Sequence, residues 1–171
     1  MPVTRYSATT RARTAPRRAP AEAHANGAAA EPVDSSFLQS LLGYNASRVS
    51  LAVVTVFLER MAVYDLRPIN FSVLSLIKDN PGITSRQICA ALGMQPPNVV
   101  GMVGAFEKRG LIERQPHPHD GRAVGLHLTD AGSALMREAE PAAVSLEAEV
   151  AARLSDAERR TLMRLLQKIY L

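Results

Sequence analysis

The sequence predicts a mainly α-helical chain with one small β-hairpin, and three observations between Thr84 and Gly132 carry that expectation. The capping box Thr84-x-x-Gln87 opens a helix that Gly93 closes. Pro96 and Pro97 suit the first turn of a second helix, where a missing N–H costs nothing, and that helix runs to about Arg109 before Gly110. Two short strands, Leu111–Arg114 and Val124–Leu128, then flank a Pro/His/Asp/Gly/Arg segment read as a long turn. Helix, turn, helix, hairpin, helix is the order of parts in a winged helix-turn-helix. It points to DNA.

The flanking segments extend this reading. Residues 1–35 are rich in Ala, Pro, Arg and Thr with almost no large apolar side chain, so a mobile basic tail is expected. A single long helix is predicted from Phe37 to about Tyr64, with Leu38, Leu41, Leu42, Val49, Val53, Val56, Phe57 and Met61 at helical spacing. Arg67–Pro68 should break it, and Asn70–Lys78 should form the next helix, ended by Asn80-Pro81-Gly82. After the hairpin, Thr129 caps a helix reaching Val150, with Pro141 inside it. A second capping box, Ser155-x-x-Glu158, launches the last helix. The domain expected over 36–171 thus divides into a winged module at about 67–129 and dimerisation helices at about 37–66 and 130–171. These terminal helices carry more apolar surface than a monomer would expose, which predicts an obligate homodimer.

Charge follows the same division. The overall net charge is +4, but its distribution is more informative than its size. Five arginines and no acid lie in residues 1–20, nine Lys/Arg face six acids over 36–129, and seven acids face two arginines over 130–158. A basic middle and an acidic rear suit a protein with one face toward phosphate. One cysteine excludes an internal disulfide and a multi-thiolate metal site. No uninterrupted apolar stretch of about 18 residues suggests a membrane span. The N-terminus lacks the apolar core of a secretory signal, so cytoplasmic residence is the expectation. No glycine-rich phosphate loop, nucleophile triad or paired-carboxylate motif indicates an enzyme, and no cofactor is expected.

Three stretches resemble the MarR family of bacterial transcription regulators. They are Leu92–Val100 (LGMQPPNVV), Phe106–Arg114 (FEKRGLIER), and Asp120-Gly-Arg122 followed by Leu128-Thr-Asp-Ala-Gly132. The resemblance covers about Phe37 to Leu171. It implies a homodimer that binds a pseudo-palindromic operator in double-stranded DNA and represses transcription until a small effector releases it.

Within that frame the second helix of the motif is the recognition helix. Gln95 and Asn98 are the candidates for base edges, because an amide can pair bidentately with adenine. Pro97 and Val100 are placed to touch thymine methyls. Arg122 at the hairpin tip would enter the minor groove, held by Asp120, although a plain hairpin salt bridge fits the same pair. Arg86, Lys108, Arg109 and Arg114 are the phosphate-contact candidates. The helix departs from the family's pattern at Gly101, Gly104 and Ala105, where relatives often carry polar or charged residues.

Family analogy puts the effector between the dimer helices and the winged module. Tyr44, Arg48, Val56, Arg60 and Tyr64 would line it, with an aromatic acid, a phenol or a CoA thioester as the ligand class. Arg48 and Arg60 admit a second reading as partners in intrasubunit ion pairs. His117, His119 and His127 lie around the hairpin without a standard metal-ligand spacing, so no metal site is assigned. Cys89 reads as a small packed residue. The competing functional reading is a winged-helix protein-interaction module without specific DNA binding, because the recognition helix is poor in arginine.

Overall fold

The first long helix is in fact three pieces. The computed structural model describes residues 33–117 and 120–171, and of residues 117 and 120–123 the backbone alone. It begins with α1 (Ser36–Gln39), breaks, and resumes as α2 (Leu42–Arg60), followed by a 3-10 turn at Ala62–Tyr64. The break is chemically satisfied: the Asn45 side-chain amide donates to the carbonyls of Gln39 and Leu41, at 2.7 and 2.8 Å. Apolar spacing alone does not register such a side-chain cap, which competes with the helical hydrogen bonds.

The next helix also starts earlier than expected. Helix α3 (Pro68–Asp79) takes Pro68 as its first residue, so the proline opens this helix as well as barring extension of the previous one. Its inner face buries Val73, Leu74 and Ile77. Helices α4 (Ser85–Leu92) and α5 (Pro96–Lys108) follow, each with the start and stop that the sequence predicts. Helix α6 (Asp130–Val150) runs through Pro141 without interruption, capped by Thr129, whose hydroxyl accepts the Gly132 N–H. Helix α7 (Asp156–Tyr170) opens on the Ser155/Glu158 capping box.

The hairpin strands are longer than predicted. Strand β1 (Ile112–His117) pairs antiparallel with β2 (Asp120–Leu128), from Ile112 opposite Leu128 to Pro116 opposite Val124, with an irregularity beyond Pro116. Pro116 is tolerated because a two-stranded ribbon has an unpaired edge for the position without an N–H. Most of the segment expected as a turn is therefore strand, and Arg122 lies within β2 rather than at a loop tip. Ile83 bridges to Leu126, with Gly82 N–H to Leu126 O and Leu126 N–H to Ile83 O both at 2.9 Å, so the chain before α4 adds a short third rung to the wing.

Ser36–Leu171 form one compact unit. Its core joins Met61, Leu66, Val73, Leu74 and Ile77 with Ile88, Val99, Val103 and Phe106, and with Leu111, Ile112, Leu126, Met136 and Leu146. The winged module and the inner face of α6 thus share a single apolar centre. No helix of the described residues is long and apolar enough to cross a membrane. The expectation of a mobile basic tail lies almost wholly outside the described residues.

The terminal helices contribute little to this core. Helix α7 has no buried residue, and Leu162, Met163, Leu165 and Ile169 are exposed. Helices α1 and α2 leave Phe37, Leu42, Val49 and Leu51 open in the same way.

Candidate DNA-binding surface

Helix α4 is set by its cap. Gln87 N–H donates to Thr84 Oγ1 at 3.3 Å, and Thr84 N–H donates back to Gln87 Oε1 at 2.8 Å. Gly93, at φ +63°, makes the left-handed turn that sends the chain into α5, and Met94 N–H reaches back to Cys89 O at 3.0 Å. Cys89 itself is half-buried and packs at the edge of the core, rather than fully within it.

Helix α5 divides cleanly between two faces. Val99, Val103 and Phe106 are buried on the core side. Gln95, Pro97, Asn98, Val100, Gly101, Ala105 and Lys108 are exposed. Val100, a β-branched apolar side chain, is 58% exposed. The first turn of the helix, whose two prolines leave no free backbone N–H, therefore stands in solvent with its recognition chemistry confined to exposed amide and apolar side chains. Backbone bonds from Asn98 and Val99 N–H to Gln95 O close that turn and leave the Asn98 side chain projecting.

The four predicted phosphate contacts separate into two kinds. Arg86 and Lys108 are exposed and make no ion pair among the described residues. Arg114 and Arg109 are committed elsewhere. Arg114 on β1 forms a bidentate pair with Glu107 on α5, at 2.6 and 3.0 Å. The Arg114 hydrogen bonds hold the Glu107 carboxyl below the ordinary glutamate range, and the same bonds raise the Arg114 guanidinium. Arg109 turns back to the 3-10 turn, donating to Asp65 O at 3.0 Å and Tyr64 O at 3.1 Å. Neither partner was legible from the sequence, because Asp65 lies 44 positions away and Glu107 pairs across a helix-to-strand junction. The side chains of Asp120 and Arg122 lie outside the described residues; their backbone belongs to β2.

The five predicted effector residues stand along α2 and the turn after it. Tyr44, Val56 and Tyr64 are half-buried, while Arg48 and Arg60 are exposed. Arg60 pairs with Glu149 of α6 at 2.6 Å, which matches the ion-pair reading of that residue. Tyr64 Oη donates to Glu138 O of α6 at 3.5 Å. An open groove of about 690 Å³ lies instead along α3 and α6, lined by Lys78, Ser133, Arg137, Glu140, Pro141 and Val144. None of the five lines that groove. Among the described residues no three His, Cys, Asp or Glu side chains converge as a metal site requires. His119 and the His117 side chain lie outside those residues.

Comparison with known proteins decides the family. Residues 64–123 match the family model described as MarR family. A protein of Thauera aromatica, named as a putative transcriptional regulatory protein for the hcr operon, is 32% identical over 147 residues, 85% of this chain and 88% of its own length. The chain belongs to the MarR family. Among solved MarR-type structures, the transcriptional repressor CouR bound to a 23-mer DNA duplex superposes with a TM-score of 0.77 at 35% identity, covering 82% of this chain and 99% of that one. CouR from Rhodococcus jostii RHA1 bound to p-coumaroyl-CoA gives a TM-score of 0.71 at 27% identity, over 77% and 93% of the two chains. This MarR-family chain is thus a transcriptional regulator with a winged helix-turn-helix fold.

Proposed function

We propose that this chain is a homodimeric repressor that reads a pseudo-palindromic operator with α5 and the wing and is released by a small aromatic effector. The observation that supports it most is the exposed start of α5. Gln95, Pro97, Asn98 and Val100 project from a turn whose opposite face is locked into the core, beside a wing tied to the same helix by Glu107 and Arg114. A helix presented in this way fits a major groove, with polar amides for adenine and apolar side chains for thymine methyls. Arg86 and Lys108 would meet phosphates, and Arg122 with Asp120 would serve the adjacent minor groove.

The exposed apolar side chains of α1, α2 and α7 support a dimer, since a monomer would leave them in water. Two recognition helices related by a two-fold axis would meet half-sites roughly 10 bp apart. The effector class rests on likeness: CouR is bound to p-coumaroyl-CoA in a related structure, and an aromatic acid, a phenol or an aryl-CoA thioester is the class to test here. Tyr44, Arg48, Val56 and Tyr64 remain the proposed contacts, Arg48 with its charge open to solvent. Such a ligand would favour a dimer whose α5 helices are wrongly spaced for DNA, and operator affinity would fall by the coupling factor. The protein would act on chromosomal DNA in the cytoplasm.

A protein-interaction module is the second reading, favoured by the lack of any charged residue in α5 before Glu107. The two separate when purified protein is mixed with fragmented genomic DNA and the retained fragments are sequenced. A repressor enriches a pseudo-palindrome and releases it on addition of p-coumaroyl-CoA or a free aromatic acid. An interaction module enriches no sequence.

A further inference from the structure

Arg109 caps the C-terminal end of α5, yet its side chain turns away from that helix to the end of α2. One terminal nitrogen donates to Asp65 O at 3.0 Å and stands 3.5 Å from the Asp65 carboxylate; the other donates to Tyr64 O at 3.1 Å. Two consecutive backbone carbonyls are thus held by one planar fork, a geometry that a lysine ammonium cannot reproduce. The turn that receives it is unusual. Asp65, at φ +51°, is the one described non-glycine residue with positive φ. Its carbonyl points to Arg109 because of that left-handed backbone. The turn is pinned on its other sides by the buried Met61 and Leu66 and by the Tyr64 hydroxyl on α6. Arg109 also sits at the C-terminal end of α5, where a cation complements the free carbonyls.

We infer that Arg109 is a positioning residue that fixes the recognition helix to the end of α2, and not a phosphate contact. This rests on the proposed reading of α5 as the DNA-reading helix. A guanidinium committed to three oxygen atoms, with its side chain 32% exposed, would have to abandon them to reach phosphate. Lys108, the exposed neighbour, needs no such exchange. The clasp also joins the two parts of the molecule that a regulator must connect. A shift at the end of α2 moves the carbonyls of Tyr64 and Asp65, and Arg109 carries that shift to α5. Linkage requires the converse: DNA held by α5 must steady the turn.

The test uses the full-length wild type, Arg109→Lys and Arg109→Met, with a duplex selected by the wild type from a random pool. Affinity is read across salt concentrations, and amide hydrogen exchange at Tyr64, Asp65 and Leu66 is read with and without the duplex. The clasp predicts that both variants bind the duplex about tenfold more weakly, the cost of roughly one base contact, with the wild-type salt slope. It also predicts that DNA slows exchange at the turn in the wild type but not in the variants. A lysine variant that binds like wild type, with a methionine variant whose salt slope falls by about one per subunit, would make Arg109 a phosphate contact and overturn the proposal. So would wild-type exchange at the turn that ignores DNA, a result that needs no variant to fold. A wild type that selects no duplex overturns the proposed function instead, and the proposal with it.

Discussion

Arg114 on β1 grips Glu107 on α5 with two parallel hydrogen bonds, Nε to Oε1 at 2.6 Å and Nη2 to Oε2 at 3.0 Å. The pair ties the wing to the helix it flanks, so the two elements proposed to meet DNA are joined to each other. Its strength comes from geometry rather than burial, since both side chains remain about a third or more open to water.

Acid should loosen this joint. The Glu107 carboxyl is held below the ordinary glutamate range by the Arg114 hydrogen bonds, and the Glu158 carboxyl by those of Ser155 in its capping box. A carboxyl lowered on folding adds stability that is complete above the ordinary glutamate value and lost as pH falls through the lowered one. Melting temperature should therefore fall as pH drops below about 5, and Glu107→Gln should reduce that acid dependence. At neutral pH the same variant should cost at most about 1 kcal/mol, as an exposed pair does, and less in high salt. Thermal melts over a pH and salt grid check both statements.

Gly132 should tolerate no side chain at all. A Cβ there would stand 2.0 Å from Leu111 O, where α6 begins against the start of β1. Backbone on that side cannot swing away as a flexible side chain would, because Leu111 O also accepts the Thr129 N–H at 3.0 Å. Gly132→Ala should cost about 3 kcal/mol or more, the upper range for forcing atoms into a packed site. Denaturant titration of the purified variant reads the loss.

Gly101 and Gly104 predict the reverse. A Cβ at either position would meet nothing within 4 Å, and both lie inside α5. Alanine at each should stabilise the fold by about 0.5–1 kcal/mol through helix propensity. Gly101→Ala, on the exposed face, should at the same time weaken operator binding if α5 lies close in the groove. A melt that rises while affinity falls marks Gly101 as part of the DNA-facing surface. Affinity that stays level places it outside.

Asn98 separates base reading from simple attraction. Its side chain is exposed, so Asn98→Ala should leave the melting temperature nearly unchanged. It should reduce the preference for operator over random DNA by about 1–3 kcal/mol, as for one lost bidentate contact. Parallel anisotropy titrations on the two duplexes measure that preference. An equal loss on both would place Asn98 on the backbone.

The residues that declared themselves in sequence act over short distances. Thr84 with Gln87, Ser155 with Glu158, and the pairs Pro96–Pro97 and Gly93–Gly110 mark helix ends by local chemistry, and those boundaries stand in the fold. The α1–α2 break escaped because Asn45 satisfies it with a side chain that apolar periodicity does not register. The strands outran expectation because Pro116 fits the open edge of a two-stranded ribbon. At the site, exposure of Gln95 and Asn98 followed from helical spacing. The commitments of Arg109 and Arg114 did not, since a guanidinium's partner depends on which distant backbone the fold brings beside it.

Binding of the purified protein to the DNA upstream of its own coding region separates a sequence-specific repressor from an interaction module. Fluorescence anisotropy at several salt concentrations, with random DNA of equal length as control, reads it. A sequence-specific repressor shows at least about a hundredfold preference for the cognate duplex, and affinity that falls steeply as salt rises, as phosphate contacts release counterions. Equal affinity for cognate and random DNA, or no binding at low salt, would contradict the repressor reading.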